Sequence, residues 1–185
     1  MAAVVASMAE VGYRKTTAAE IARRAGVTWG AVQHHFGDKD GILAAVLADT
    51  FARFAERLGD PPAGAGLGVR VGRFVDRAWE HFASPHYRTT FEILRHVPPD
   101  ADRAWQGQML AAWSRIWTQW FPGGRLGRQQ RLGLMQYTIA VLAGLAAVQM
   151  LSGRRAGRRE TELAFLKDTL RRALAPGGRE RCTMS

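Results

Sequence analysis

The chain has 185 residues, enough for one sizeable core or for a small head on a larger body. Apolar residues make up 47% of it, which argues against disorder, and its single cysteine, Cys182, excludes an internal disulfide and fits a reducing cytoplasm. The net charge of +10 invites a nucleic-acid partner, yet residues 1–48 hold five Lys/Arg against four Asp/Glu, while residues 125–185 hold twelve against four.

In the N-terminal stretch Val4, Met8 and Val11 share one helical face. No basic region precedes them and Glu10 interrupts the apolar run, so the stretch reads as a helix rather than a signal peptide. A start upstream of Met1 stays open. Thr17-Ala-Ala-Glu20 then has the form of a capping box and opens a second helix. Ile21 and Ala25 complete its apolar face, the small Ala22 admits a close neighbour, and Gly26 supplies a turn. Thr28 is a second N-cap, Val32 points back at the first helix, and Phe36-Gly37 ends the element. Two short helices so joined are a helix-turn-helix. Its outward positions Thr28, Trp29, Ala31, Gln33 and His34 are then the candidates for the edges of bases in a DNA major groove. Trp29 has two readings, contact with a thymine methyl or a cover over the helix pair.

Asp38 can cap a fourth helix running to Leu58, with Leu43, Leu47, Thr50, Phe51 and Phe54 on its buried side. Pro and Gly between Gly59 and Gly66 break it. Val71, Phe74, Val75, Ala78 and Phe82 mark a fifth helix, Ser84-Pro85 opens a sixth, and Pro98-Pro99 closes that unit. Trp105, Met109, Trp113, Ile116, Trp117 and Trp120 form a stripe on the next helix. Plain core packing is one reading of this stripe. The other is that Trp79, Phe82, Tyr87, Phe91, Trp105, Met109 and Trp113 wall a cavity for a hydrophobic or aromatic effector.

Two helices, about 127–152 and 159–175, complete the chain. Ala140, Ala143, Gly144 and Ala147 permit close approach, and Leu163, Leu166, Leu170 and Leu174 form a narrow seam. The expectation is a homodimer joined by a four-helix interface from these two helices of each copy. Gln136, Thr138 and Gln149 interrupt the apolar run from Leu134 to Leu151, leaving it short of the roughly 20 residues a bilayer requires, so no membrane partner is expected. The Arg154–Arg159 run is either a solvated loop or a distal contact for DNA or an acidic partner.

Gly12-Tyr13, Thr16-Thr17, Ile21-Ala22, Ala25-Gly26-Val27-Thr28, Gly30-Ala31-Val32, His35-Phe36 and Lys39-Asp40-Gly-Ile-Leu43 together resemble the N-terminal domain of tetracycline-repressor (TetR) family regulators. The resemblance covers roughly the first 48 residues. It implies an all-α, one-component regulator, with a three-helix DNA-binding head at 1–48. An effector-binding and dimerisation body follows at 49–175, and a flexible tail at 176–185. It adds Gly30 to the DNA-facing set and suggests Thr17, His35 and Lys39 for phosphate contacts, with packing beneath the recognition helix as the alternative for His35. Gln33 stands where the family usually has Tyr; it can still bond a phosphate or pair with adenine. Partners implied are a double-stranded operator, a second copy and a small effector, in a bacterial cytoplasm and on the nucleoid when DNA-bound. Repression relieved by the effector is the commonest logic of such a family. No cofactor or metal is expected.

Two rival classes remain: a helical small-molecule module without DNA binding, and an enzyme. His81, His86 and His96 with Asp76, Glu80 and Glu92 are the raw material for the second. No HExxH, CxxC or glycine-rich phosphate loop accompanies them, and Pro85 separates His81 from His86.

Overall fold

The computed structural model describes residues 2–37, 39–95, 104–123, 126–152 and 159–175, and the regular structure among them is all helical. In the head, α1 (Ala2–Lys15) is followed by α2 (Ala18–Ala25) and α3 (Trp29–Phe36). Both predicted caps form. Thr17 is extended, and its hydroxyl accepts the Glu20 N–H at 3.2 Å; Thr28 accepts the Ala31 N–H at 3.1 Å. The capping box is only half made, because the Glu20 carboxylate is committed to Arg23 at 2.8 and 2.9 Å and to Arg24 at 2.5 Å. Those guanidiniums hold the Glu20 carboxyl at about 2.

Gly26 turns the chain in the left-handed conformation, φ 67° and ψ 28°, and the Val27 N–H then closes on the Ala22 carbonyl at 3.0 Å. A Cβ on Gly26 would meet nothing within 4 Å, so backbone conformation and not space demands glycine. Gly26→Val should therefore lower the thermal stability of the head, with a cost of about 1–2 kcal/mol, and Gly26→Asn should cost less. Equal melting losses for the two would place the cause elsewhere.

Ile21, Ala22 and Val32 are buried together with Val4 of α1, and Ile42, Val46 and Leu47 of α4 (Lys39–Leu58) close this small core from beneath. Further along the same helix, Phe54 and Leu58 belong to the larger core of the body. The boundary expected at residue 48 thus falls inside one unbroken helix, and α4 is a single rod rooted in two cores. Its C-terminus is closed by the Arg77 guanidinium, which donates to the Leu58 carbonyl at 2.6 Å.

The body is built around α5 (Leu67–Phe82), whose Val71, Phe74, Val75, Ala78 and Phe82 are all buried at the predicted spacing. Packed on it are α4, α6 (Pro85–Arg95), α8 (Arg128–Leu151) and α9 (Glu160–Leu174). The tryptophan stripe of α7 (Ala104–Trp120) is core where its side chains are described: Trp113, Trp117 and Trp120 are buried, and Phe74 meets Trp117 and Trp120 edge-on at 5.5 Å. The predicted Pro98-Pro99 stop, His96, the Trp105 side chain, residues 153–158 and the tail from 176 lie outside the described residues.

The leucine seam of α9 requires a correction. Leu163, Leu166 and Leu170 are buried within the chain and Leu174 packs against the same core, so they hold α9 in the body instead of facing a second copy. The seam has the narrow apolar width one partner helix satisfies, and α5 is that partner. On α8 the expected residues divide: Ala140 and Gly144 are exposed, Ala143 and Ala147 half-buried. They extend a surface stripe with Tyr137, Val148 and Leu151, the last 84% exposed; on α9, Phe165 is also exposed, at 71%. As formed, α8 has 24 residues and is long and apolar enough to cross a membrane by length and composition alone, a property shared by core helices, with Gln136, Thr138 and Gln149 within it. Its other face, Met135, Thr138, Leu142 and Ala146, is buried in the body.

Candidate nucleic-acid interface

With Val32 turned into the head core, the opposite side of α3 faces outward. Thr28, Trp29, Gly30, Ala31, Gln33 and His34 are all exposed, Trp29 to 51%, and Val27 beside it is exposed as well. Trp29 thus turns about half of its surface outward at the start of the element. Thr17 is exposed, although its hydroxyl is engaged as a cap. The side chains of His35 and Lys39 lie outside the described residues. A groove-sized helix whose first turns present short side chains, one amide and one indole can enter a major groove and read base edges. Charge contributes little here. Arg24 is pinned between Glu10 at 2.6 Å and Glu20 at 2.5 Å, and Arg23 is paired with Glu20.

A second feature lies where α4 passes α7. Ala44, Leu47, Ala48 and Phe51 of α4 face Met109 and Ala112 of α7 across a cavity of about 280 Å³, with Arg115 also on its wall. Among the described residues predicted to wall an effector cavity, Met109 alone lines this one. Phe82 and Trp113 are closed into the core against Phe54, Tyr87 packs on Phe82 at 4.6 Å with its ring tilted by 55°, Phe91 follows Tyr87 at 6.4 Å, and Trp79 packs at the core's edge. Large rings fill space, and the space left over lies beside alanines. The sequence held two signals for it: the Ala44/Ala48 pair one turn apart, and Arg115 with no acid three or four residues away.

Between head and body a polar junction ties α4 to α6. The Thr50 hydroxyl bonds Thr90 at 2.7 Å and His86 Nε2 at 2.9 Å, and Asp49 sits 3.5 Å from the same nitrogen while accepting from Arg53 at 2.8 Å. Burial, with Arg53 adding to it and Asp49 opposing, lowers the His86 pKa. His81 is on α5 and His86 on α6, and among the described residues no three of His, Cys, Asp and Glu converge as a metal site would need.

Residues 1–46 match the model described as bacterial regulatory proteins, tetR family. The chain is 33% identical over 96 residues to the HTH-type transcriptional regulator BetI of Stenotrophomonas maltophilia, a match over 48% of this chain and 49% of that one. It thus spans about half the length of that curated relative. Among solved structures, a transcriptional regulator from Rhodococcus sp. RHA1 superimposes with a TM-score of 0.64 at 19% identity, covering 94% of this chain and 92% of that one. The superantigen PfiT does so with the same score at 18% identity, over 94% and 93%. Two such different descriptions on one backbone show that the fold alone carries no role, and the head sequence is the more specific signal. Over residues 1–46 the chain is thus similar to the tetR family of bacterial regulatory proteins, and along nearly its whole length it shares an all-helical fold with a solved transcriptional regulator.

Proposed function

We propose that the chain is a one-component transcriptional regulator, most simply a repressor, that binds a pseudo-palindromic operator as a homodimer and changes its affinity on binding a small apolar effector. The observation that carries this reading is the outward face of α3, fully presented on a turn fixed by two threonine caps and a left-handed glycine. The role is binding rather than catalysis, and its place is the compartment that holds the DNA.

The second copy is supported by the α8 stripe. Tyr137, Ala140, Gly144, Val148 and Leu151 recur every three or four residues along one exposed face of α8, and Phe165 of α9 is a further exposed ring. Small residues at the centre let two such helices approach closely, and association hides the apolar rim. The dimer would set two α3 helices in successive major grooves, about 34–36 Å apart or somewhat more. A monomeric mass by light scattering at micromolar concentration contradicts this assembly.

A gel shift with the DNA upstream of the chain's own gene tests the whole reading. A specific, salt-sensitive complex is expected, and its absence at any physiological salt rejects operator binding. Within that assay Gln33→Ala should weaken binding by about 1–3 kcal/mol on the preferred sequence if Gln33 reads a base. A loss equal on all sequences assigns Gln33 to phosphate.

A further inference from the structure

We propose that the cavity between α4 and α7 takes a small amphipathic anion, an acyl or aryl carboxylate, with its apolar body against Leu47, Phe51 and Met109 and its carboxylate on Arg115. At about 280 Å³ the space is large enough for an occupant of roughly ten non-hydrogen atoms. Among the described residues that line it, the side chains are apolar apart from Arg115. Arg115 is exposed and, among the described residues, its side chain is engaged in no ion pair or hydrogen bond, as are those of Arg57, Arg73 and Arg172, but of these it is the one that lines the cavity. An unpaired cation beside an apolar space favours an occupant with a complementary charge at one end, and a planar guanidinium suits a carboxylate held through two parallel bonds. Among the described residues no Asp or Glu lines the cavity, so a cationic amphiphile finds no counter-charge in that lining.

Occupancy has a direct route to the head. Leu47 lines the cavity and is at the same time a buried member of the head core with Ile42 and Val46. Phe51, one turn on, packs on Phe54 and Trp113 of the body at 6.0 and 6.4 Å. A ligand wedged against this turn of α4 bears on both cores, and its differential fit to two α4 positions would set the spacing of the heads. This consequence for DNA rests on the regulatory reading above; the binding site itself does not.

The test uses the full chain and three eight-carbon probes, octanoate, 1-octanol and octylammonium, titrated by calorimetry. Octanoate should bind at least tenfold more tightly than either of the others, and Arg115→Gln should remove that preference while leaving octanol binding unchanged. Ala48→Leu, a substitution on an exposed position that fills the space, should abolish octanoate binding with the thermal midpoint retained. Octanol binding as well as octanoate, a preference that survives Arg115→Gln, or octanoate binding unaffected by Ala48→Leu would each overturn the proposal, as would no binding of any probe. A gel shift without octanoate separates the two readings. A chain that binds octanoate as stated but shifts no DNA rejects the regulator and keeps the site. One that shifts DNA and ignores octanoate does the reverse.

Discussion

Phe54→Ala is expected to lower the unfolding free energy by about 3–5 kcal/mol, measured by chemical denaturation. The residue is 1% exposed and sits where four rings meet, with centroids 4.2 Å from Trp113, 5.0 Å from His81, 6.0 Å from Phe51 and 6.4 Å from Phe82. Truncation removes the burial of one large ring and leaves a void bounded by stiff aromatic neighbours, which relax poorly into it. Because Phe54 lies on α4, the loss should reach the head as well, since the same rod carries Ile42, Val46 and Leu47. A loss below about 1 kcal/mol would show that these rings are not packed as described.

The second large effect is a loss of stability on mild acidification. The His81 imidazole lies among Phe54, Phe82 and Tyr87, and burial lowers its pKa from 6.5 to about 4, with His86 and Arg57 acting in the same direction. Between those values the unfolded chain binds a proton that the folded chain refuses. Stability is therefore fully present above pH 6.5, falls as the pH drops through the window, and levels off below about 4. The His81 contribution is roughly 3 kcal/mol at the acid end of the window. His86, also lowered by burial, adds to the loss with the same sign. Glu20, held at about 2, titrates below this range. In His81→Phe the ring is kept and the proton site removed, so urea unfolding should lose His81's share of the slope between pH 6.5 and 4. An unchanged slope would remove His81 as the cause.

Much of the head could be read from the chain because its determinants are local. A threonine cap acts on an N–H three residues away, a glycine turn on its own φ, and the 3.6-residue period on neighbours one turn apart. Ala22, Gly26, Thr28 and Val32 accordingly take the places their spacing predicts. The buried face of α5 was legible for the same reason. Glu20 was misread because two arginines compete with the cap's own N–H for one carboxylate, and a charged donor wins over a neutral one.

By itself the sequence determined the helices, their caps, the helix-turn-helix and the face of α3 that points outward. It could not decide which apolar stripe meets which. Periodicity says that the leucines of α9 and the rings of α7 are covered, and it is silent on what covers them. Only the tertiary structure assigned the leucine seam to α5, left the α8 stripe of Tyr137 to Leu151 uncovered, and spent Phe82 and Trp113 on the core. The same packing placed Ala44 and Ala48 opposite Ala112 and opened a cavity there. A cavity is the volume that side chains from distant segments fail to fill, and no local pattern records it.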